Sequence, residues 1–237
     1  MISLIVRVAL PEDWNGISEV SRLSGYEDYI NRIGPEYLKD GEVIVALHDK
    51  AIVGFMKMQD VCDGSSWFSG IRVHPNFRRL SVATSLTDKA IELARTRGIG
   101  QVRLLIQDSN SPSIALARKF GFRPVDRFAF FNGHPKIKEQ ESHGPSELGN
   151  PEFLNMGWIF VPYSKVNPAE LERISFEKNG TGYKSGKNMI QIVSCDDGTS
   201  LEGDAYCCME VKNGIPSSLM RYLDTEFDYA SVFQSEI

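Results

Sequence analysis

The stretch Ile71-Arg-Val-His-Pro-Asn-Phe-Arg-Arg-Leu-Ser-Val-Ala-Thr-Ser-Leu86 decides how the chain reads. A strand ends at Val73, His74-Pro75-Asn76 turns the chain, and a helix begins inside a run of small residues. The helix then carries Val82, Leu86, Ala90, Leu93 and Ala94 at helical spacing until Gly98. A helix start exposes backbone N–H groups and the positive end of a dipole, and Arg78 and Arg79 stand beside it. Small side chains at Ser81, Ala83 and Thr84 let a bulky phosphate approach the backbone. The segment therefore reads as an anion site on a strand–turn–helix unit. A plain turn with two solvated arginines is the alternative reading of the same residues.

The flanking sequence supplies more of the same fold. Residues 3–9 read as a strand, Pro11-Glu-Asp opens a helix to about Leu23, and Gly25 stops it. A second helical stretch covers about 27–39. Strands follow at Glu42–Leu47, Ala51–Met58 and Trp67–Val73. After the 82–97 helix come a strand at Val102–Ile106, a helix from about Pro112 to Phe120 capped from Asp108-Ser-Asn110, and a strand at Phe122–Phe131. Residues 132–151 hold almost nothing apolar and read as a linker. Beyond it the chain is strand-like at about 157–163, 172–178, 187–194 and 204–212. Asn179-Gly180, Asp197-Gly198 and Asn213-Gly214 read as hairpin turns, and about 217–227 reads as a helix.

Charge separates the two parts. The 237 residues carry 26 Lys/Arg and 31 Asp/Glu, a net charge of −5 that argues against nucleic acid as a partner. Counted to residue 133 the balance is 17 − 15 = +2, and from 134 onward it is 9 − 16 = −7. No apolar run approaches the ~20 residues of a membrane span. Cys62, Cys195, Cys207 and Cys208 contain no Cys-x-x-Cys pair, and the four histidines lack metal spacing. Reduced thiols in a cytoplasmic protein are expected, with Cys207 and Cys208 on opposite strand faces, one buried and one half-exposed. Lys184 and Lys187 among glycines read as a flexible loop rather than a phosphate loop.

Residues 69–122 resemble the acetyl-CoA-binding core of the GNAT (Gcn5-related N-acetyltransferase) superfamily. The strand ending Ile71-Arg-Val-His-Pro75 carries the resemblance, together with Arg78-Arg-Leu-Ser-Val-Ala83 and Asn110-Ser-Pro-Ser-Ile-Ala-Leu-Ala-Arg-Lys-Phe-Gly-Phe122. The element order from 3 to 131 fits as well. The resemblance implies an α/β (α+β) fold, a mixed, mostly antiparallel sheet flanked by helices. It implies acetyl-CoA as co-substrate: backbone groups of Ile71 and Val73 along the pantetheine arm, backbone N–H groups from Arg79 through Leu80, Ser81, Val82, Ala83 and Thr84 on the pyrophosphate, and Asn110 on the pantetheine. No metal is expected. The domains would be 1–133 for the GNAT-like part, 134–151 for the linker, and 152–237 for a smaller β-rich α+β module.

Two residues depart from the family pattern. Ser81 stands where a glycine is usual, which a negative φ would accommodate. Ala117 stands where many members carry a tyrosine that protonates the departing thiolate. Leu105 occupies a site where some ribosomal-protein acetyltransferases carry a glutamate base. Asp60 is the leading candidate base for the amine, beside Asp63, Glu27, Asp28 and His74, although each also reads as a loop charge or cap. Trp67 or Phe68, Tyr26 and Tyr29 would line the acceptor site or pack in the core. The expected activity is acetyl transfer to a small-molecule or peptide amine. A CoA- or acyl-CoA-binding regulatory module without turnover, or an interaction protein, are the alternatives. Neither nucleic acid nor membrane is an expected partner, and a homodimer is left open.

Overall fold

A computed structural model describes residues 2–25, 29–142, 150–167, 171–177, 180–185 and 189–237. The chain forms two compact units, residues 1–103 with 235–237, and residues 104–234. Among the described residues, no helix is long and apolar enough to cross a membrane.

The first unit contains β1 (Ile5–Val8), α1 (Trp14–Leu23), α2 (Tyr29–Ile33), β2 (Glu42–His48), β3 (Ala51–Asp60), β4 (Ser66–Val73), α3 (Val82–Thr96) and the start of β5 (Gln101–Gln107). Its strands lie in the order β1-β2-β3-β4-β5, antiparallel except for the parallel β4–β5 pair. Consecutive β2 residues Val43, Ile44, Val45 and Ala46 are all buried, so both sheet faces are covered. Val43, Val45 and Phe55 pack with Ile17, Val20, Ile30 and Tyr37 from the α1–α2 side. On the other face, α3 buries Val82, Leu86, Ala90 and Ala94, the periodicity seen in the sequence. Gly54 sets how closely α3 approaches: a Cβ there would lie 2.7 Å from Val82 Cγ1. α3 ends as expected at Gly98, φ +73°, with Ile99 N donating to Ala94 O at 3.0 Å. Ile237 N donates to Gly100 O at 3.0 Å.

The second unit contains the end of β5, α4 (Ser111–Lys119), β6 (Arg123–Pro135), β7 (Ile137–Ser142), β8 (Phe153–Asn155), β9 (Phe160–Pro162), β10 (Glu172–Phe176), β11 (Gly180–Ser185), β12 (Met189–Ser194), β13 (Leu201–Glu210) and most of β14 (Tyr229–Glu236). Its sheet order is β14-β6-β13-β12-β11-β10-β7, with only β12–β13 parallel. The polar stretch expected as a linker is strand through Ser142, and residues 143–149 lie outside the described set. β7 is an edge strand, where a polar composition is tolerated. The helix expected at 217–227 is only a 3-10 turn over Ser217–Tyr222. Asp224 Oδ1 accepts from Glu226 N and Phe227 N at 2.7 and 2.6 Å, a local turn that competes with helix. The Asp197-Gly198 turn joins the parallel pair β12 and β13, so it is not a hairpin. Asn213-Gly214 closes a 3-10 turn, and Asn179 lies outside the described residues.

The β8–β9 hairpin is held to β12 and β13 through buried polar contacts. Glu210 Oε1 accepts from Glu152 N and Phe153 N at 2.7 and 3.1 Å. Gln191 donates to Phe153 O at 2.7 Å and accepts from Asn155 N at 2.8 Å. Cys207 joins the core on the opposite face while Cys208 accepts from Asn155 Nδ2 at 3.5 Å, so both thiols are buried, not one. Burial pushes the Cys208 thiol up to about 12. All four cysteines are free.

Beside Glu210 lies Asp126, whose side chain is nearly covered, with Lys212 Nζ 3.8 Å from Asp126 and 3.3 Å from Glu210. Burial first, then the Glu210 charge, raise the Asp126 carboxyl to about 7, against the pull of Arg127 N and Lys212. Its native pKa lies above its unfolded value, so the folded state binds more protons between about pH 4 and about pH 7. Stability from this group is therefore full below that window and lost as pH rises through it. Asp126→Asn should melt with the parent below about pH 4 and above it at about pH 8, read from melting temperature against pH.

Candidate active site

The outer edge of β4 is the first feature of the site. β4 pairs with β5 at Ser66↔Val102 and Trp67↔Arg103. Against β3 its register runs Lys57↔Ser69 and then Phe55↔Arg72, so Gly70 and Ile71 together oppose Met56. This is a β-bulge, and Gly70 has φ +61°. A side chain at Gly70 would collide with the Tyr37 hydroxyl, so glycine is required twice over. Past the bulge, His74 N donates to Val53 O at 2.9 Å. The Val73–Gly54 pair is therefore of the non-hydrogen-bonded type, and the N–H and C=O of Val73 point away from β3. Strand alternation turns those of Ile71 to the same outer edge, where Arg72 Nη1 donates to Ile71 O at 3.0 Å.

The loop into α3 is the second feature. Phe77 N donates to His74 O at 2.9 Å, closing a 3-10 turn. Arg79 and Ser81 then both adopt left-handed backbone, φ +63° and +64°. Left-handed residues within a turn gather successive N–H groups into an anion-binding concavity. Ser85 N donates to Ser81 O at 2.9 Å and opens the helical ladder at the start of α3. The negative φ that would accommodate a serine is not adopted; the positive φ of Ser81 is the conformation a glycine would take there without cost. Its hydroxyl makes no capping bond. Arg78 donates to Ser24 O at 2.8 Å, at the C-terminal end of α1, and Arg78, Arg79 and Leu80 are all exposed.

A strand edge with outward backbone groups, leading through a left-handed loop into a helix start, coincides with a family match. Residues 9–122 match the acetyltransferase (GNAT) family model. The chain contains a GNAT domain. A rice (Oryza sativa subsp. japonica) protein named as an acetyl transferase is 39% identical over 67 residues, 28% of this chain and 16% of that protein. The match thus spans about one sixth of the relative's length. Two solved structures share the fold across nearly the whole chain. One, of a proposed acetyltransferase from Thermoplasma acidophilum, has TM-score 0.69 at 16% identity and covers 98% of this chain and 100% of its own. The other, of a proposed acetyltransferase from Pyrococcus horikoshii, has TM-score 0.61 at 14% identity and covers 99% and 89%.

Among the described residues of the GNAT domain, the expected bases Asp60, Asp63 and His74 do not gather at the bulge. Asp60 accepts from Ser66 Oγ at 3.0 Å and pairs with Arg97 at 3.3 Å, while Arg97 also pairs with Glu42. Asp60 thus sits in an ion network at the start of β4, roughly 16 Å along the strand from Ile71. Asp63 is bound by buried Arg103. His74 Nδ1 accepts from Asn76 N at 3.2 Å. Tyr26, Glu27 and Asp28 lie outside the described residues. Trp67 and Phe68 are both buried, so both pack.

Tyr29, expected to line the acceptor site or pack, borders the bulge together with two residues the sequence reading passed over. Tyr37 is buried against Gly70, and Tyr29, half exposed, has its hydroxyl 3.6 Å from the same position. Lys57, buried on β3, donates to Tyr37 O at 2.9 Å and lies 4.4 Å over the Tyr37 ring. Burial pushes its amine down, against the pull of Asp40. A lone lysine inside Val53-Gly-Phe-Met-Lys-Met58 was the available signal. In the second unit, Asn110 caps α4 by accepting from Ser113 N at 3.2 Å, and Ala117 is buried.

Left-handed serine costs on the order of 1 kcal/mol relative to glycine, partly offset by the freer unfolded chain of the glycine variant. Ser81→Gly should therefore stabilise the protein by about 0.5–1 kcal/mol, a rise of roughly 1–4 °C in melting temperature. An unchanged or lower melting temperature would mean that the loop holds another conformation in solution.

Proposed function

We propose that the protein is an acetyl-CoA-dependent N-acetyltransferase acting on a primary amine. The outward backbone edge of Ile71 and Val73 carries this reading. It is a strand edge prepared for an extended, amide-bearing chain, and the pantetheine arm is such a chain. The N–H groups from Arg79 to Thr84 would take the pyrophosphate, with Arg79 as an exposed cation. Arg78, which donates to Ser24 O at 2.8 Å and is also exposed, would stand beside it as a second cation. Asn110 is assigned to the pantetheine by its family position.

Chemistry then needs few groups. The neutral amine attacks the thioester carbonyl carbon, the C–S bond breaks, coenzyme A leaves as thiolate, and the amine's proton passes to solvent or a nearby base. Backbone N–H beside the bulge is the donor type that stabilises the oxyanion. With Ala117 in place of a tyrosine, the thiolate, a fairly good leaving group, departs without that acid.

A second reading, a CoA-binding regulatory module, is favoured by the left-handed Ser81 and by Ala117. Both readings require ligand-induced stabilisation. Acetyl-CoA at ~100 times its dissociation constant should add about 2.7 kcal/mol, seen as a melting shift. Thiol release with a panel of amines separates the two readings. Arg79→Ala should weaken acetyl-CoA several-fold while leaving an acetyl-pantetheine lacking the pyrophosphate unaffected. No melting shift at millimolar acetyl-CoA would remove both readings.

A further inference from the structure

The second unit displays a tryptophan against backbone preference. Met156 N donates to Ile159 O at 2.7 Å, closing a two-residue turn at the tip of the β8–β9 hairpin. Both central residues are left-handed, Gly157 at φ +70° and Trp158 at φ +72°. Such a turn normally takes asparagine or glycine at these positions, and a bulky residue there is an outlier. Asn155 Oδ1 accepts from Trp158 N at 2.7 Å and fixes the turn.

The indole lies flat on Phe130, with ring planes 5° apart and centroids 5.2 Å apart. Phe227 stands edge-on at 5.6 Å and Tyr206 at 6.1 Å. This stacking covers one indole face, yet Trp158 remains 40% exposed, Tyr206 39% and Met156 38%. Covering Phe130 requires one apolar face and not a strained, half-exposed indole. The charged residues that flank these rings in sequence have one sign. Within two residues of each of these four rings, the charged residues are Asp204, Glu226 and Asp228. An aromatic face open to solvent beside carboxylates is suited to a cation.

We propose that Trp158 and Tyr206 form a docking platform for a lysine or arginine side chain of a basic polypeptide, with Asp204, Glu226 and Asp228 as its counter-charges. The indole supplies the ring face, and the carboxylates select against acidic and neutral segments. This inference does not depend on acetyl transfer.

Calorimetric titration of the full chain with a Lys/Gly peptide and a Glu/Gly peptide of equal length tests it. The lysine peptide should bind at low salt, more weakly as salt rises, and the glutamate peptide should not. Trp158→Asn, whose side chain tolerates left-handed backbone, should weaken the lysine peptide by about fivefold or more. Asp204→Asn with Glu226→Gln, two surface changes, should also weaken it and flatten the salt dependence, which keeps the test valid if the tryptophan variant fails to fold. Acetyl-CoA stabilisation should persist in these variants. Equal lysine-peptide affinity in the parent and the surface variant, absence of lysine-peptide binding, equal binding of both peptides, or a dimer lost on substitution would each overturn the proposal.

Discussion

A buried guanidinium fixes the end of β4 from which the candidate site is measured. Arg103 has no solvent exposure and donates to Asp63, to Ser65 Oγ at 2.5 Å and to Gln101 Oε1 at 2.7 Å. Burial pushes the Asp63 carboxyl up, but its bonds to Ser65 and Arg103 hold it below the usual carboxylate range. Such a pair adds little net stability against an apolar substitute, yet leaving either member unpaired is costly, so its value is positional. It ties the β3–β4 connection to β5 where Ser66 and Trp67 make their parallel pairs. From that fixed end, the bulge at Gly70 redirects the remainder of β4 and sets the outward edge of Ile71 and Val73.

Local signals were legible in the sequence. The apolar period of α3, its stop at Gly98 and the Asn110 cap of α4 each depend on residues within a few positions of one another. The same holds for the strand–turn–helix order around Val73, and for the family itself. Conformations set by packing were not legible. Nothing adjacent to Ser81 forces a left-handed backbone, and Arg78 reaches Ser24 across 54 residues. Asp60 looked available because the sequence does not show Arg97 beside it. Tyr37 and Lys57 were missed because their shared position at the bulge depends on strand register.

The acidic part followed the same rule more severely. β8 and β9 are held by Gln191 and Glu210, polar residues that seem soluble-facing in sequence but are buried with their partners far along the chain. Polar composition at 134–142 and Pro216 at the start of the 217–227 stretch pointed to linker and helix. Edge pairing and an Asp224 turn decided otherwise. Tyr229–Glu236, a strand with Ala230 and Val232 buried in alternation, passed unread although its pattern was present.

Residues 235–237 belong to the first unit although the rest of that unit ends at Arg103. During vectorial synthesis, the first unit is therefore not complete when residues 1–103 have emerged. It must wait for about 130 further residues, through the whole of the second unit, before Ile237 can reach Gly100. A ribosome that stalls within the acidic region leaves the anion-loop unit unfinished, so the complete unit reports that translation has passed beyond that region.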